Sequence, residues 1–138
     1  VTPLEIALDI RDITLEVQMQ PDLQHRGDIS WMTEAVSNIL KNCMEHTPSG
    51  GHIRIVTKDN PLYLLIKITD SGSGFTKQDL PHIFERFYRG QNADTDSVGI
   101  GLALAKRIII AQNGTIRAYN HKKDGGAVFE IRMYKGAV

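Results

Sequence analysis

Residues 29–51 read ISWMTEAVSNILKNCMEHTPSGG, and their spacing predicts one long helix with two working faces. Trp31, Met32, Ala35, Val36, Ile39, Leu40, Cys43 and Met44 recur at helical spacing and make a wide apolar stripe. Beside the stripe stand Glu34, Asn38, Asn42 and His46, each four residues from the next. Residues at that spacing lie one above another on a helix of about 3.6 residues per turn. Such a row ordinarily faces solvent, but two amides in place of Lys and Glu are unusual there. Asn is a poor helix former, so two in mid-helix are a local cost accepted for another reason. An amide oxygen is a hard, neutral ligand of the kind that suits Mg2+, which keeps several waters and takes its remaining ligands from phosphates. Thr47-Pro48-Ser49-Gly50-Gly51 then stops the helix with strong breakers.

Upstream, Thr2-Pro3-Leu4-Glu5 is a helix start, with a capping Thr, Pro at the first position and Glu closing the box; a short helix runs to about Arg11. Thr14 to Gln20 sets Leu15, Val17 and Met19 against Glu16, Gln18 and Gln20, the alternation of a half-buried strand ended by Pro21. Downstream, His52–Lys58 and Leu62–Thr69 alternate as two strands of a hairpin across Asp59-Asn60-Pro61. From Ser71 to Val98 no periodicity is sustained, and so long a connection inside a compact domain is usually a functional loop or lid. Gly99–Gln112 is a helix with Leu102, Leu104, Ala105, Ile108 and Ile109 as its apolar residues, ended by Asn113-Gly114. Thr115–Asn120 and Ala127–Tyr134 form a second hairpin across Lys123-Asp124-Gly125-Gly126. Helices and strands in this order predict an α+β two-layer sandwich. It has a mixed, mostly antiparallel sheet of about five strands, three main helices on one face and a long lid at about 71–98.

Size and charge narrow the function. The 138 residues fit a single domain spanning 1–138. Lys plus Arg and Asp plus Glu number 16 each, a balance that argues against a general nucleic-acid binder. No apolar run approaches the roughly 20 residues of a membrane span, and no signal-like N-terminus is present. No membrane contact by this domain is expected. The single cysteine, Cys43, lies on the apolar stripe and forms no internal disulfide; a cytoplasmic setting is compatible.

Three further stretches carry chemistry. Asp70-Ser-Gly72-Ser-Gly74 puts a carboxylate at a strand end, where it can accept a hydrogen bond from an exocyclic amine, before two glycines that let the backbone approach a ligand. Read alone, the same pattern is a plain turn. Gly99-Ile-Gly101-Leu102 opens a helix, and a glycine-lined helix N-terminus offers amides suited to phosphate. It lacks the third glycine of a dinucleotide fingerprint, and no GxxxxGK[ST] sequence occurs. Phe84-Glu-Arg86-Phe87-Tyr88-Arg89 reads either as an amphipathic turn with Phe84 and Phe87 tucked onto the body, or with Arg86 and Arg89 facing an anion. The five histidines show no metal-site spacing.

In order and spacing, Asn38-Ile-Leu-Lys-Asn42, DSGSGF, IFERFYRG and GIGLALAK resemble the N, G1, F and G2 boxes of the ATP-binding catalytic domain of two-component sensor histidine kinases. This is the Bergerat-type, or GHKL, ATPase fold. The resemblance covers about Val17 to Tyr134. It implies that Asn42 coordinates Mg2+ with Asn38 beside the same ion, and that Asp70 binds the adenine amino group. Gly72 and Gly74 would line the adenine pocket, with Gly99, Gly101 and Leu102 at the phosphates. Phe84 and Phe87 would anchor a lid that closes over ATP, with Arg86 or Arg89 neutralising the γ-phosphate; Arg89 is the catalytic candidate. His46 stands where the family often has a tyrosine packing on the nucleotide. Where Cys43 stands Ala is usual, a mild change. A basic residue is frequent where Glu45 stands, and Asp96-Ser97-Val98 replace the extra glycines that often open the G2 box.

The family's phosphoacceptor histidine sits in a His-Glu-x-x-x-x-Pro context, which no histidine here shares. The acceptor, on a helical dimerisation domain, and the sensor domain are therefore expected outside this chain. The resemblance further implies a homodimeric parent kinase, anchored at the membrane with this domain in the cytoplasm, and a response regulator as downstream partner. Rival readings come from the same fold. Gyrase-type topoisomerases, mismatch-repair proteins and a heat-shock chaperone place a general-base glutamate four residues before the metal Asn. Here that position is Asn38, which takes no proton at neutral pH. Anti-sigma serine kinases usually lack so complete an F box. A non-catalytic nucleotide-sensing module is the remaining alternative.

Overall fold

A computed structural model describes residues 12–18, 29–86, 101–123 and 125–135. Five strands, β1 (Thr14–Gln18), β2 (His52–Asp59), β3 (Tyr63–Asp70), β4 (Gly114–Asn120) and β5 (Ala127–Tyr134), make one sheet in the order β1-β2-β3-β5-β4. Helix α1 (Ile29–His46) connects β1 to β2, and α2 (Gly101–Ala111) precedes β4. β1 and β2 pair in parallel, and the other three pairings are antiparallel. The mixed sheet and both hairpins therefore stand as the alternation predicts. The proposed first helix, to about Arg11, lies outside the described residues, as do Met19 and Gln20.

Register decides which side of the sheet is apolar. Ile55, Ile68, Phe129 and Ala118 form one row across four strands, and Ile66, Ile131 and Ile116 a second. Met32, Ala35, Ile39, Leu40 and Cys43 of α1, with Leu102, Ala105, Ile108 and Ile109 of α2, close over this face as one core. Each fully buried aliphatic there contributes roughly 1.5–3 kcal/mol. Local chemistry supports the joints. Asn60 Oδ1 accepts from the N–H groups of Leu62 and Tyr63 at 2.8 and 2.9 Å, fixing the β2–β3 turn. Asn113 takes φ 64° after α2, a left-handed cap that asparagine tolerates.

Three apolar residues do not join the core as expected. Trp31 is 54% exposed. At about 100° per residue it falls on the flank of Asn38, seven residues on, and away from the stripe. Leu104 is exposed because it points nearly opposite Leu102 on α2. Val17 is 51% exposed, since β1 is an edge strand whose apolar side is only partly covered.

The other face of the sheet is polar. Lys67, Glu130 and Arg117 are register partners in one row. Glu130 is buried, and its Oε1 accepts from Arg117 Nη2 at 3.0 Å and Arg132 Nη2 at 3.1 Å, while Oε2 accepts from Tyr119 Oη at 2.7 Å. Burial pushes its carboxyl up, but the Tyr119 hydrogen bond and the two guanidiniums outweigh it and hold the group below the ordinary value. Among the described residues, no helix is long and apolar enough to cross a membrane.

Candidate functional site

One face of α1 joins three parts of the chain. Asn38, Asn42 and His46 are each half-buried on it. At the Asn38 end stands Gly101, the first residue of α2: a Cβ there would lie 3.9 Å from Asn38 Cβ and 4.0 Å from its Cγ. At the other end, a Cβ on Gly72 would collide with the carbonyl of His46. The two ends are eight residues apart, roughly 12 Å along the helix. That distance is comparable to the reach from the base to the phosphates of a nucleoside triphosphate. Asn38 Nδ2 is buried and has no hydrogen-bond partner among the described residues. A buried amide donor left this way costs about 1–3 kcal/mol, so a bound acceptor there would restore what folding lost.

Asp70, 4% exposed, lies at the Gly72 end. Its Oδ1 accepts from Gly72 N–H at 2.9 Å and Ala127 N–H at 3.2 Å. The Cys43 thiol is a further hydrogen-bond partner of this carboxyl. Burial pushes the carboxyl up from its ordinary 3.8, against the downward pull of the two backbone donors, the thiol and the charge of His46. Burial, joined by the charge of Asp70, also pushes the Cys43 thiol well up and keeps it protonated as a donor. Cys43, read from sequence as a mild replacement on the apolar stripe, thus touches the one buried carboxylate of this site.

The sign of the Asp70 shift gives a prediction. A carboxyl raised in the fold binds its proton more tightly there than in the unfolded chain. Its contribution to stability is therefore greatest below 3.8 and falls as pH rises from 3.8 to the raised value. Denaturant unfolding from about pH 4 to about pH 7 should show native stability declining relative to Asp70→Asn. Parallel profiles for the two proteins would refute the shift.

The loop after Asp70 is held by a residue that sequence reading did not single out. Asn120, the last residue of β4, accepts from Phe75 N–H at 2.7 Å and donates from Nδ2 to Phe75 O at 2.9 Å. Its amide so takes the place of a neighbouring strand's backbone. Gly74, at φ 79°, passes beneath it, where a Cβ would come within 2.6 Å of Asn120 Oδ1. A lone asparagine at a strand end carries no sequence signal for a partner 45 residues away. Asn120→Ala should cost about 1–2 kcal/mol and speed hydrogen exchange at the Phe75 amide. Unchanged protection at that amide would show the pairing to be dispensable.

The start of the lid packs on the body. Phe75 and Phe84 both meet Phe129 edge-on, with centroids 5.6 and 6.3 Å away, and Lys106 Nζ lies 5.4 Å from the Phe84 ring. Phe84 thus follows the tucked reading. Between Phe75 and Phe84 the described part of the lid is turns and one short 3-10 helix, Leu80–His82. Arg86 is exposed, and Leu102 is buried in the core behind Gly101. Phe87, Arg89 and Gly99 lie outside the described residues. Among the described residues, no group of three or more His, Cys, Asp or Glu could hold a metal. A cation at this face would take side-chain oxygens from Asn42 and Asn38.

Comparison with known proteins agrees with this fold. Residues 27–136 match the family described as histidine kinase-, DNA gyrase B- and HSP90-like ATPases. The sensor protein SphS of Synechococcus elongatus is 32% identical over 117 residues, 78% of this chain and 28% of its own length. The sensor-like histidine kinase SenX3 of Mycobacterium tuberculosis is 30% identical over 132 residues, 94% of this chain and 32% of its own. The chain therefore spans about a third or less of these curated relatives. Among solved structures, a mycobacterial sensor histidine kinase, MprB, superposes with a TM-score of 0.83 at 31% identity, covering 95% of this chain and 90% of that one. The match over most of the chain, and the one-helix site with Asp70 and Gly72 at one end and Gly101 at the other, lead to one assignment. The chain belongs to the histidine kinase-, DNA gyrase B- and HSP90-like ATPase family, as an ATP-binding catalytic domain of the sensor histidine kinase kind.

Proposed function

We propose that the chain, acting as one catalytic domain over residues 1–138, binds Mg-ATP along this face of α1 and presents its γ-phosphate to a histidine on a separate helical dimerisation domain. The observation that carries the reading is the placement of Asn38, Asn42 and His46 between Gly101 and Gly72, with Asp70 buried at the Gly72 end. Asp70, its Oδ1 already engaged by two backbone donors, accepts the adenine amino hydrogen at Oδ2. His46 packs beside the base. The buried Asn38 amide nitrogen donates to a phosphate oxygen, and Asn42 supplies an amide oxygen to the cation. The N-terminal amides of α2 meet the phosphates. Asn42, with Asn38 beside it, would hold Mg2+, which would supply charge neutralisation to the transferring group. Phosphoryl transfer asks the protein mainly for positioning and charge neutralisation. An acceptor imidazole nitrogen forms the new P–N bond as the bond to the bridging oxygen breaks and ADP leaves. Arg89, with Arg86, Phe87 and Gly99, belongs to the lid and phosphate end of this reading.

The parent protein is then a homodimeric two-component kinase, anchored at a membrane with this domain in the cytoplasm, that passes its phosphoryl group to a response regulator. The test is incubation of γ-labelled ATP and Mg2+ with this chain, alone and with the segment encoded just upstream. Acid-labile, base-stable label on the upstream segment is the expected result. Free phosphate, or acid-stable label on a partner, would move the reading to an ATPase or a serine kinase. Asn42→Asp should fold as the native chain does and lose most label transfer; a folded variant with normal transfer would remove the metal role.

A further inference from the structure

Away from the nucleotide face, an open groove of about 800 Å3 runs along residues 117–123, the end of β4 and the turn after it. Lys67 closes it from across the sheet. Among the described residues its lining includes Lys67, Arg117, His121, Lys122 and Lys123 and no Asp or Glu, although the whole chain is neutral. Among the described residues, no carboxylate pairs with Lys67, Lys122 or Lys123; Asp124 lies outside them. The adjoining carboxylate, Glu130, is buried and already holds Arg117, Arg132 and Tyr119. Among the described residues the positive charge of the groove therefore outweighs the negative at its surface. Concentrating like charge in a concavity costs self-repulsion and focuses the field on an incoming anion.

We propose that this groove docks a carboxylate-rich, extended segment of another protein. Its volume falls within the roughly 300–1,000 Å3 of binding clefts, and its length follows seven consecutive residues of an edge strand and its turn. An extended chain matches that shape, whereas a flat bilayer would meet only the rim. Base stacking on Tyr119 is disfavoured: Arg117 lies 5.2 Å over its ring, and its hydroxyl is bound to Glu130. Nucleic-acid binders leave such rings open for stacking. Arg117 spends Nε and Nη2 on Glu130 at 3.3 and 3.0 Å, so it offers no free fork for a bidentate anion. What remains are the ammoniums of Lys67, Lys122 and Lys123, point charges distributed along the groove, and single carboxylates spaced along an extended chain match that distribution. The site shares no residue with the nucleotide face apart from Asn120 at its margin, so it stands independently of the ATP reading.

The test is fluorescence anisotropy of a labelled ten-residue glutamate peptide titrated with the whole chain at low salt. Saturable one-to-one binding is expected. Lys122→Glu/Lys123→Glu, and separately Lys67→Glu, should weaken it tenfold or more. Arg54→Glu, on the same sheet face but outside the groove, should change it less than twofold. Raising salt towards physiological strength should weaken binding, as screening over about 8 Å requires. Circular dichroism of each variant establishes that it is folded. No saturable binding, equal loss in the Arg54 variant, or indifference to the groove substitutions would overturn the proposal. So would tighter, groove-dependent binding of phosphatidylglycerol vesicles or of a mixed-sequence single-stranded oligonucleotide.

Discussion

Asp70→Asn is expected to fold and to bind adenine nucleotides at least a hundredfold more weakly than the native chain, a loss of about 2.8 kcal/mol or more. The change keeps the shape of the side chain. Its amide oxygen can still accept from Gly72 and Ala127, as Asp70 Oδ1 does at 2.9 and 3.2 Å. The nitrogen must then take the place of Oδ2 and present a donor to the adenine amine. Two donors facing each other in a buried pocket leave both unpaired, the situation in which polar discrimination is largest. Removal of a buried charge offsets part of any loss in folding, because burial is what raises this carboxyl. Isothermal titration with ATP and with GTP separates the outcomes. Loss confined to ATP marks the base contact. Native ATP affinity in a folded variant would take the adenine role away from Asp70.

Gly72→Ala should be the more damaging change to the fold. The added methyl meets the backbone carbonyl of His46 and comes 3.2 Å from Asp70 Oδ1. A side chain can rotate out of such a clash, but the carbonyl at the end of α1 cannot move without moving the helix. A loss of about 3 kcal/mol is expected, at the high end for overpacking. For a domain of this size that corresponds to a fall in Tm of roughly 10 °C. Differential scanning calorimetry measures it directly. Stability within half a kilocalorie of native would mean that α1 and this loop are not in the contact described. Gly50→Ala, where a Cβ would meet nothing within 4 Å but φ is 84°, separates conformational strain from collision.

The difference between these glycines bears on what was legible in the sequence. Period-two alternation located β2 to β5 because each strand buries one face only. The parallel partner of β1 was not legible, since pairing depends on where a helix returns the chain. Trp31 and Leu104 were misplaced by hydrophobicity alone; their angular positions on the helices put both outside the core. Glu130 alternates as a solvent-facing residue would, and its burial follows from Arg117, Tyr119 and Arg132 folding over it from neighbouring positions. The row of Asn38, Asn42 and His46 was legible because one helix carries it. The Asn120–Phe75 pairing and the Cys43–Asp70 contact were not, because each joins residues with no shared period.

Helix α1 also limits how this chain can change over evolutionary time. Between Asn38 and His46 it meets two segments far apart in sequence, the Gly72 loop and the first residue of α2. Deleting one residue there would shorten the span by about 1.5 Å and swing everything beyond it by about 100°. The Gly72 contact would then face an unrelated side of the helix. Point substitutions at the exposed Lys41 and Glu45 keep this spacing, whereas an insertion or deletion anywhere in the span does not.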